Sequence, residues 1–546
     1  MTSTHRRQHR RIAFAAAGGM LALVAWTNAC VGDDPINGGT STNDGGSVTL
    51  DGTPETDAPD ATAAHDFSFE PETFDVDPGQ TVTLRVRGSP ELASISLVLV
   101  VDPMPDAGVP ATAVTLGASS VSLATGDATF TVQAAPNAPQ QRFRIVGTAG
   151  SLSHEARGRI TGRPGELDVF FGDRGGYFEI APGGDSAAYA VAVQPDGRFV
   201  VVGKGEQDDR LRVVRFTPDG ALDTSFGADG KGFVMLAEGN RPRVLLMPDG
   251  AIAIGAHDFS IANAGVKLFR VDASGTPDPA WGGESGITAG LQASPQQLAA
   301  IGRLGDVLFA AGNAGEQSAA VKRYLPDAGL DPSFGNGGTV TFSLDPRIGK
   351  QPYINAIEVE ESGIYWIAGA YRPDQEPTRQ RTLVRRFRSD GTDHQAYVAD
   401  TYSGGATALA LQSGKAIVGA FDHNDATSSK ADVVVFRVTN DLDKSFGTDG
   451  GTVVATRTLG SFPSSIVVDA SDRIYLVDAA HVSENVFEVF RLLPNGALDS
   501  SFGKGGVFQL PTGRAYGAVI VGRQMIVVGA NDAQDPRFMR IARIWL

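Results

Sequence analysis

The strongest constraint on this chain is a six-residue text that returns at near-constant spacing. It reads LDVFFG at 167–172, LDTSFG at 222–227, PDPAWG at 277–282, LDPSFG at 330–335, LDKSFG at 442–447 and LDSSFG at 498–503, with a decayed copy at Thr392-Asp393. The aspartates stand at 168, 223, 278, 331, 393, 443 and 499, in steps of 55, 55, 53, 62, 50 and 56. A period near 55 holds one supersecondary unit, too small to bury an apolar face alone, so the units must stack on one another.

Each unit carries the same order of strand signals: a glycine-led strand (230–236 in one copy), an apolar strand (189–193), a turn such as Pro195-Asp196-Gly197, a second apolar strand (199–202), and a fourth strand (210–216). Asp-Gly suits the positive φ of a tight turn, so the two apolar strands are predicted to be antiparallel neighbours. The 67 glycines and 30 prolines in 546 residues fit many short strands. Four short strands per unit predict a propeller blade. The first unit begins on a glycine-led strand and the last ends on a fourth strand, so the first strand is expected to complete the last blade and hide its edge.

The motif and its surroundings resemble the delta-60 repeat of secreted proteins from delta-proteobacteria and their relatives, over residues 163–546. That resemblance implies a β-propeller of the cell envelope and brings no established activity or catalytic residue. The expected fold class is all-β: a β-propeller of six to eight blades, seven preferred, preceded by an Ig-like β-sandwich and a disordered N-terminal tether.

The N-terminal side divides into three parts. Residues 1–29 hold HRRQHRR at 5–11 and an apolar run at 12–26, the length of a signal-peptide core. The following Thr27-Asn28-Ala29-Cys30 resembles a bacterial lipobox, although Thr27 and Asn28 depart from the usual pattern. The resemblance implies acylation of Cys30, the chain's one cysteine, and hence a lipid anchor, with the outer membrane favoured. An ordinary cleaved secretory signal, an uncleaved anchor and a twin-arginine signal at Arg10-Arg11 are the alternatives. Residues 30–65 are rich in Gly, Thr, Asp and Pro and poor in large apolar groups, the composition of a flexible linker. As a coil it spans roughly 30–35 Å root-mean-square. Residues 66–162 alternate with period two, as in 81–87 and 128–132, and resemble Ig-like surface modules.

The formal charge of −16 falls to about −20 once the four arginines of the leader are removed, which disfavours nucleic acid and anionic lipid as partners. A monomer is expected.

Seven fourth strands carry an arginine at matching position: Arg215, Arg270, Arg323, Arg386, Arg437, Arg491 and Arg543. Six to eight residues later, in the first six cases, stand Asp223, Asp278, Asp331, Asp393, Asp443 and Asp499. Such a ring of arginines either lines a channel for an anion or acidic glycan, or pairs bidentately with the motif aspartates and staples each blade turn, its stem against the motif Phe. Recurrence in every unit favours the staple. Phe171, Phe226, Trp281, Phe334, Phe446 and Phe502 are expected in the core between blades.

Variation marks the binding candidates instead. The connections after the third strand differ in every repeat, and they hold Asp208, Asp209, His257, Asp258, Asp422, His423, Asp425 and His481, read as solvated loop residues. The histidine spacings match no metal-ligand motif, and no cofactor is indicated; acidic loops leave calcium open without a loop signature. No HExxH, GxSxG, Walker loop or dinucleotide glycine pattern occurs. The expected function is a non-enzymatic, envelope-tethered module presenting a propeller loop face to a glycan or envelope protein. The alternatives are a polysaccharide hydrolase or lyase and a purely structural envelope protein.

Overall fold

The structure is a computed structural model, and it describes residues 66–102, 113–258, 265–292, 300–315, 317–344, 349–374, 380–399, 404–422, 430–458, 462–479, 486–531 and 537–546. Residues 1–65, where the leader, Cys30 and the linker are expected, and with them His423, Asp425 and His481, lie outside the described residues. The described chain divides into two compact units, with the boundary in sequence between Gly162 and Arg163.

The N-terminal unit is built from two sheets. One orders Phe67–Glu70, Thr81–Gly88, Asp127–Ala134 and Val114–Leu116; the other orders Thr73–Val76, Leu152–Ile160, Gln141–Ala149, Ser94–Val101 and Ser120–Ser122. Their alternating side chains close one core around Phe69, Leu84, Val86, Ile95, Phe143 and Ile145, as period-two strands with one buried face must.

From Arg163 onward the chain repeats one meander. Ser186–Val193, Phe199–Gly205, Arg210–Phe216 and Phe233–Glu238 form the first four-strand group, each strand antiparallel to the one before it. The same order returns from the innermost strands Asn240–Leu246, Ala300–Leu304, Lys350–Val359, Ala406–Gln412, Phe462–Val468 and Arg514–Val521. Two consecutive groups are joined into one sheet through a single pairing, Gln292 with Asn313. The glycine-led strand, which opens the repeat in the sequence, lies outermost in the group that precedes it.

That phase closes the ring. Tyr177–Ile180, the first glycine-led strand, pairs antiparallel with Met539–Trp545, the last third strand, from Tyr177 opposite Ala542 to Ile180 opposite Met539. The innermost strands touch in cyclic order, and Ser186–Val193 meets Arg514–Val521 to complete the circle. Pairing the terminal segments removes two free edges that would otherwise template aggregation. The arrangement is a β-propeller, its apolar cores sandwiched between successive sheets, as in the cluster of Val200, Val202, Phe226, Val244 and Ile254.

Antiparallel order also sorts the connections. Turns between first and second strands, and the motif segments between third and fourth, gather at one face. The strand ends that lead into the connections between second and third strands, and into the links from one blade to the next, lie at the opposite face.

Candidate functional site

The repeated motif folds as a joint between neighbouring blades. In the first copy the Asp223 N–H donates to the Arg215 carbonyl at 2.9 Å, and the Phe226 N–H donates to the Asp223 carbonyl at 3.1 Å, which makes a tight turn. Asp223 Oδ1 accepts the Ser225 N–H at 3.0 Å and its hydroxyl at 2.6 Å. Oδ2 is left for the guanidinium, and Arg215 Nε donates to it at 2.8 Å. The guanidinium lies 4.8 Å from the centre of the Phe226 ring. One carboxylate thus serves a turn through one oxygen and guanidinia through the other, since Arg198 Nε also lies 3.0 Å from Oδ2.

The fork-to-fork pairing expected from the sequence is therefore replaced by contacts on a single oxygen. In the Arg323 copy, Nε and Nη2 both approach Asp331 Oδ2, at 2.9 and 2.8 Å, because Oδ1 is occupied by Ser333. Arg270 with Asp278, Arg437 with Asp443 and Arg491 with Asp499 are also ion-paired. Arg543 reaches back to Asp168 across 375 residues, with Nε 2.9 Å from Oδ2, so the closing joint repeats the interior ones. The decayed copy differs: Arg386 approaches Glu360 at 3.4 Å and lies over Trp366, while the Asp393 side chain lies outside the described residues.

The arginine also leaves its own blade. Nη1 donates to a carbonyl in the turn of the following blade: Arg215 to Ala273 at 2.5 Å, Arg323 to Ser389 at 3.1 Å, Arg437 to Pro494 at 3.0 Å and Arg543 to Pro218 at 2.5 Å. The motif glycine makes a parallel bond, as from Gly227 to Ser274 at 2.8 Å. The turn of the next blade comes so close that a Cβ on Gly275, itself at φ +95°, would lie 2.9 Å from the Phe226 ring. Only glycine tolerates both that conformation and that approach. These arginines are consumed in architecture.

The loop candidates divide. Asp208 pairs with Arg212 at 2.8 Å and caps the Arg210 N–H at 3.1 Å, and Asp209 pairs with Lys204, so both hold their own connection together. His257 and Asp258 are not solvated loop residues. Pairing continues past the expected strand end, to Asn240 opposite His257 and Gly265 opposite Asp258, which buries both side chains; Asp258 holds Lys267 at 2.9 Å. Asp422 ends the strand Lys415–Asp422, half-buried. Among the described residues no group of three or more His, Cys, Asp or Glu is placed to hold a metal ion.

A cluster that the periodicity does not announce lies on the innermost strands. Most of these strands carry a β-bulge, and the extra residue is Tyr189, Asn355, Thr407, Ser464 or Tyr516. Three of them stitch neighbouring blades: Asn355 Nδ2 donates to the Ala406 carbonyl at 2.8 Å, Thr407 Oγ1 to Pro463 at 2.7 Å, and Ser464 Oγ to Ala515 at 2.9 Å. The two tyrosines depart from the pattern and stack, with centroids 4.8 Å apart and planes at 26°.

Next to them the bulge of Asn240–Leu246 brings Arg241, at φ +48°, and Arg243. Burial pushes the Arg241 guanidinium below its usual value, and Tyr189 and Tyr516 partly counter it. Burial, reinforced by the charge of Arg241, pushes Arg243 down to about 9. Arg243 is 2% exposed, and its Nη1 donates to the Pro242 carbonyl at 3.0 Å; Nη2 has no acceptor among the described residues. An uncompensated buried guanidinium is costly to the fold. Both arginines stand at the entry of their strand, on the side of the variable connections. The signal in the sequence was Asn240-Arg241-Pro242-Arg243, which brings two arginines to a bulge whose counterparts at 188–190, 354–356, 406–408, 463–465 and 515–517 are uncharged.

Asp478 and Glu488 face each other in register on neighbouring strands, both fully buried, with Gln509 Nε2 donating to Glu488 Oε2 at 2.9 Å. The pair is sealed from solvent.

Comparison with known proteins agrees with a propeller repeat. The family described as "Domain of unknown function (DUF5122) beta-propeller" matches residues 194–226 and 478–502, and each segment ends at the phenylalanine of a motif or in its Asp-Ser-Ser-Phe text. No curated protein matches the chain. Solved structures with similar strand architecture include a quinonprotein alcohol dehydrogenase-like protein from Bacteroides thetaiotaomicron, 10% identical, covering 80% of this chain and 95% of that one at a TM-score of 0.34. A structure of the GH130 family, described as containing glycoside hydrolases that target β-1,2-mannosidic linkages in Candida mannan, is 11% identical and covers 64% and 93% at 0.30. A glycosyl hydrolase from Bacteroides ovatus is 10% identical and covers 64% and 92% at 0.25. Likeness at this level carries no argument about activity.

Two predictions follow from the joint. Arg215→Ala removes one partner of a buried pair, while Arg198 stays 3.0 Å from Asp223 Oδ2, and is expected to cost about 2 kcal/mol, the worth of a hydrogen bond to a charged group, whereas Arg85→Ala, whose pair with Asp127 is about half exposed, should leave the denaturation midpoint nearly unchanged. Equal denaturation midpoints for the two variants would refute the joint's importance. The second concerns acid. At Asp443 the Ser445 hydroxyl is the largest influence; burial opposes it, and the Ser445 N–H and Arg437 add to it, holding the carboxyl at about 2. At Asp223 and Asp499 burial is the largest influence and raises the carboxyl, but serine and arginine together still hold it below its usual value. A carboxyl depressed in the folded state stabilises fully above its unfolded value near 3.8 and loses that contribution as pH falls through the folded value. The melting temperature should therefore fall steeply between about pH 4 and pH 2, and Asp443→Asn should reduce the slope; parallel curves for wild type and variant would contradict this.

Proposed function

We propose that this chain is an envelope-tethered, non-catalytic binding module: a lipid at Cys30, a flexible spacer, an Ig-like sandwich and a seven-bladed propeller of the delta-60 kind, offering its variable face to a glycan or protein partner. The observation that carries the reading is the break in symmetry on the innermost strands. Where other blades place Asn355, Thr407 and Ser464 to stitch the ring, Tyr189 and Tyr516 stack beside Arg241 and Arg243. Stacked aromatic rings and buried guanidinia at the root of divergent connections suit recognition of a partner that brings carboxylates.

The cyclic contacts of the innermost strands support seven blades, and the two facing sheets around one core support the Ig-like reading of residues 66–162. The buried position of Asp478 and Glu488 gives the hydrolase reading no accessible carboxylate pair there.

An array of acidic and neutral glycans, together with envelope extracts, probed with the Cys30→Ser chain, tests the binding role. Binding without turnover is expected, weakened roughly three- to tenfold by Tyr189→Ala, which removes the partly exposed ring of the stack; product release from any bound glycan would replace this reading with the hydrolase. The tether has its own measurement. Mass spectrometry of the mature N-terminus should find an acylated residue in the wild type and none in Cys30→Ser, and identical unlipidated termini would remove the anchor.

A further inference from the structure

One position on the innermost strands is filled differently from its counterparts. The residue that resumes pairing after each bulge is Ala190, Ala356, Ala408, Ser465 or Gly517, opposite Val202, Ala368, Gly419, Val477 or Val528. In the remaining bulged strand it is Arg243, opposite Gly255. The long side chain has room because the residue across from it has none. Residues opposite one another point to the same face of a sheet, and a Cβ added to Gly255 would lie 2.6 Å from Ile301 of the next blade. Arg243 therefore enters the space between two blades.

Its charge is unmet there. Nη1 donates to the Pro242 carbonyl, whereas Nη2, also buried, has no hydrogen-bond partner among the described residues. The charged group that acts on Arg243 is Arg241, of the same sign. The contrast with the two other arginines buried as deeply is direct: Arg212 is paired with Asp208 and Arg491 with Asp499. Burial and Arg241 push Arg243 down only to about 9, so both guanidinia keep their charge at neutral pH. Two buried like charges are strongly unfavourable without a counter-charge.

We propose that Arg243 and Arg241 hold one halide ion, chloride, as a built-in ligand of the ring, whatever partner the variable face takes. A spherical ion imposes no bonding direction, so one guanidinium N–H with a second guanidinium beside it can meet it. A divalent oxyanion would bring several oxygens that all need donors in a buried place, and its greater charge would cost far more to strip of water. The site borders solvent: Arg241 keeps 9% of its surface, and Tyr189, which acts on it, is half-buried.

Thermal melts of the full-length Cys30→Ser chain at constant ionic strength, with isethionate exchanged stepwise for chloride, test the site. A ligand bound by the folded state alone raises the melting temperature with its concentration, by about 3 °C for a chain of this size at a hundred times its dissociation constant. Arg243→Met keeps the length of the side chain and removes its charge. It should lose the chloride response and, in isethionate, melt at or above the wild type, because an uncompensated buried charge is gone. Crystals grown in bromide locate the ion without any variant: anomalous density is expected beside Arg243 Nη2. An equal chloride response in wild type and Arg243→Met, or no anomalous density beside Arg243, would overturn the proposal. Neither measurement involves a partner, so their failure leaves the glycan experiment standing.

Discussion

A guanidinium held between two blades is the interaction on which the rest of the propeller depends. Arg215 gives Nε to its own motif aspartate, its face to the motif phenylalanine and Nη1 to the next blade's turn. Arginine alone among side chains offers a planar, permanently charged group with donors in several fixed directions. Lysine would meet the aspartate but not the next carbonyl and the ring at once. The serine two residues after the aspartate completes the arrangement by occupying the second carboxylate oxygen, which fixes the rotamer that meets the arginine.

Repeating this joint has a thermodynamic consequence. A blade buries little on its own, since most of its apolar residues face neighbouring blades, as the shared cluster of Val202, Phe226 and Ile254 illustrates. Stability in such arrays comes largely from the interfaces between units, and the arginine joint sits at one rim of each interface while the bulge residues Asn355, Thr407 and Ser464 tie the inner rim. Closure of Arg543 on Asp168 and of Met539–Trp545 on Tyr177–Ile180 makes the terminal interface equivalent to the others. With the ring secured by its repeated residues, individual positions are free to diverge, as Arg241 and Arg243 do in one inner bulge and Trp281 does at one outer joint.

Much of this was legible in the chain. The repeat, the four strands per unit, the pairing of arginine with aspartate and the completion of the last blade by the first strand all follow from text that recurs, because a residue repeated at the same phase reports one environment seen many times. Local hydrogen bonding accounts for the rest of the motif: aspartate, serine and phenylalanine stand within four residues and close a turn among themselves. The reading of His257 and Asp258 as loop residues failed for a related reason. Their strand ends where its neighbours stop pairing, at Asn240 and Gly265, and no pattern within 252–258 records that limit.

The sequence by itself thus determined the unit, its period and the partners that lie inside one copy. The tertiary structure alone decided what each copy meets in the next: the crossing of Arg215 to Ala273, the approach of Gly275 to Phe226 and the stacking of Tyr189 on Tyr516. The physical reason is that contacts within a unit are set by spacing along the chain. Contacts between units depend on how two sheets pack and on bulges that shift register by one residue, and a single departure such as Trp281 for Phe acquires meaning only from the turn packed against it, where the indole N–H donates to the Pro326 carbonyl.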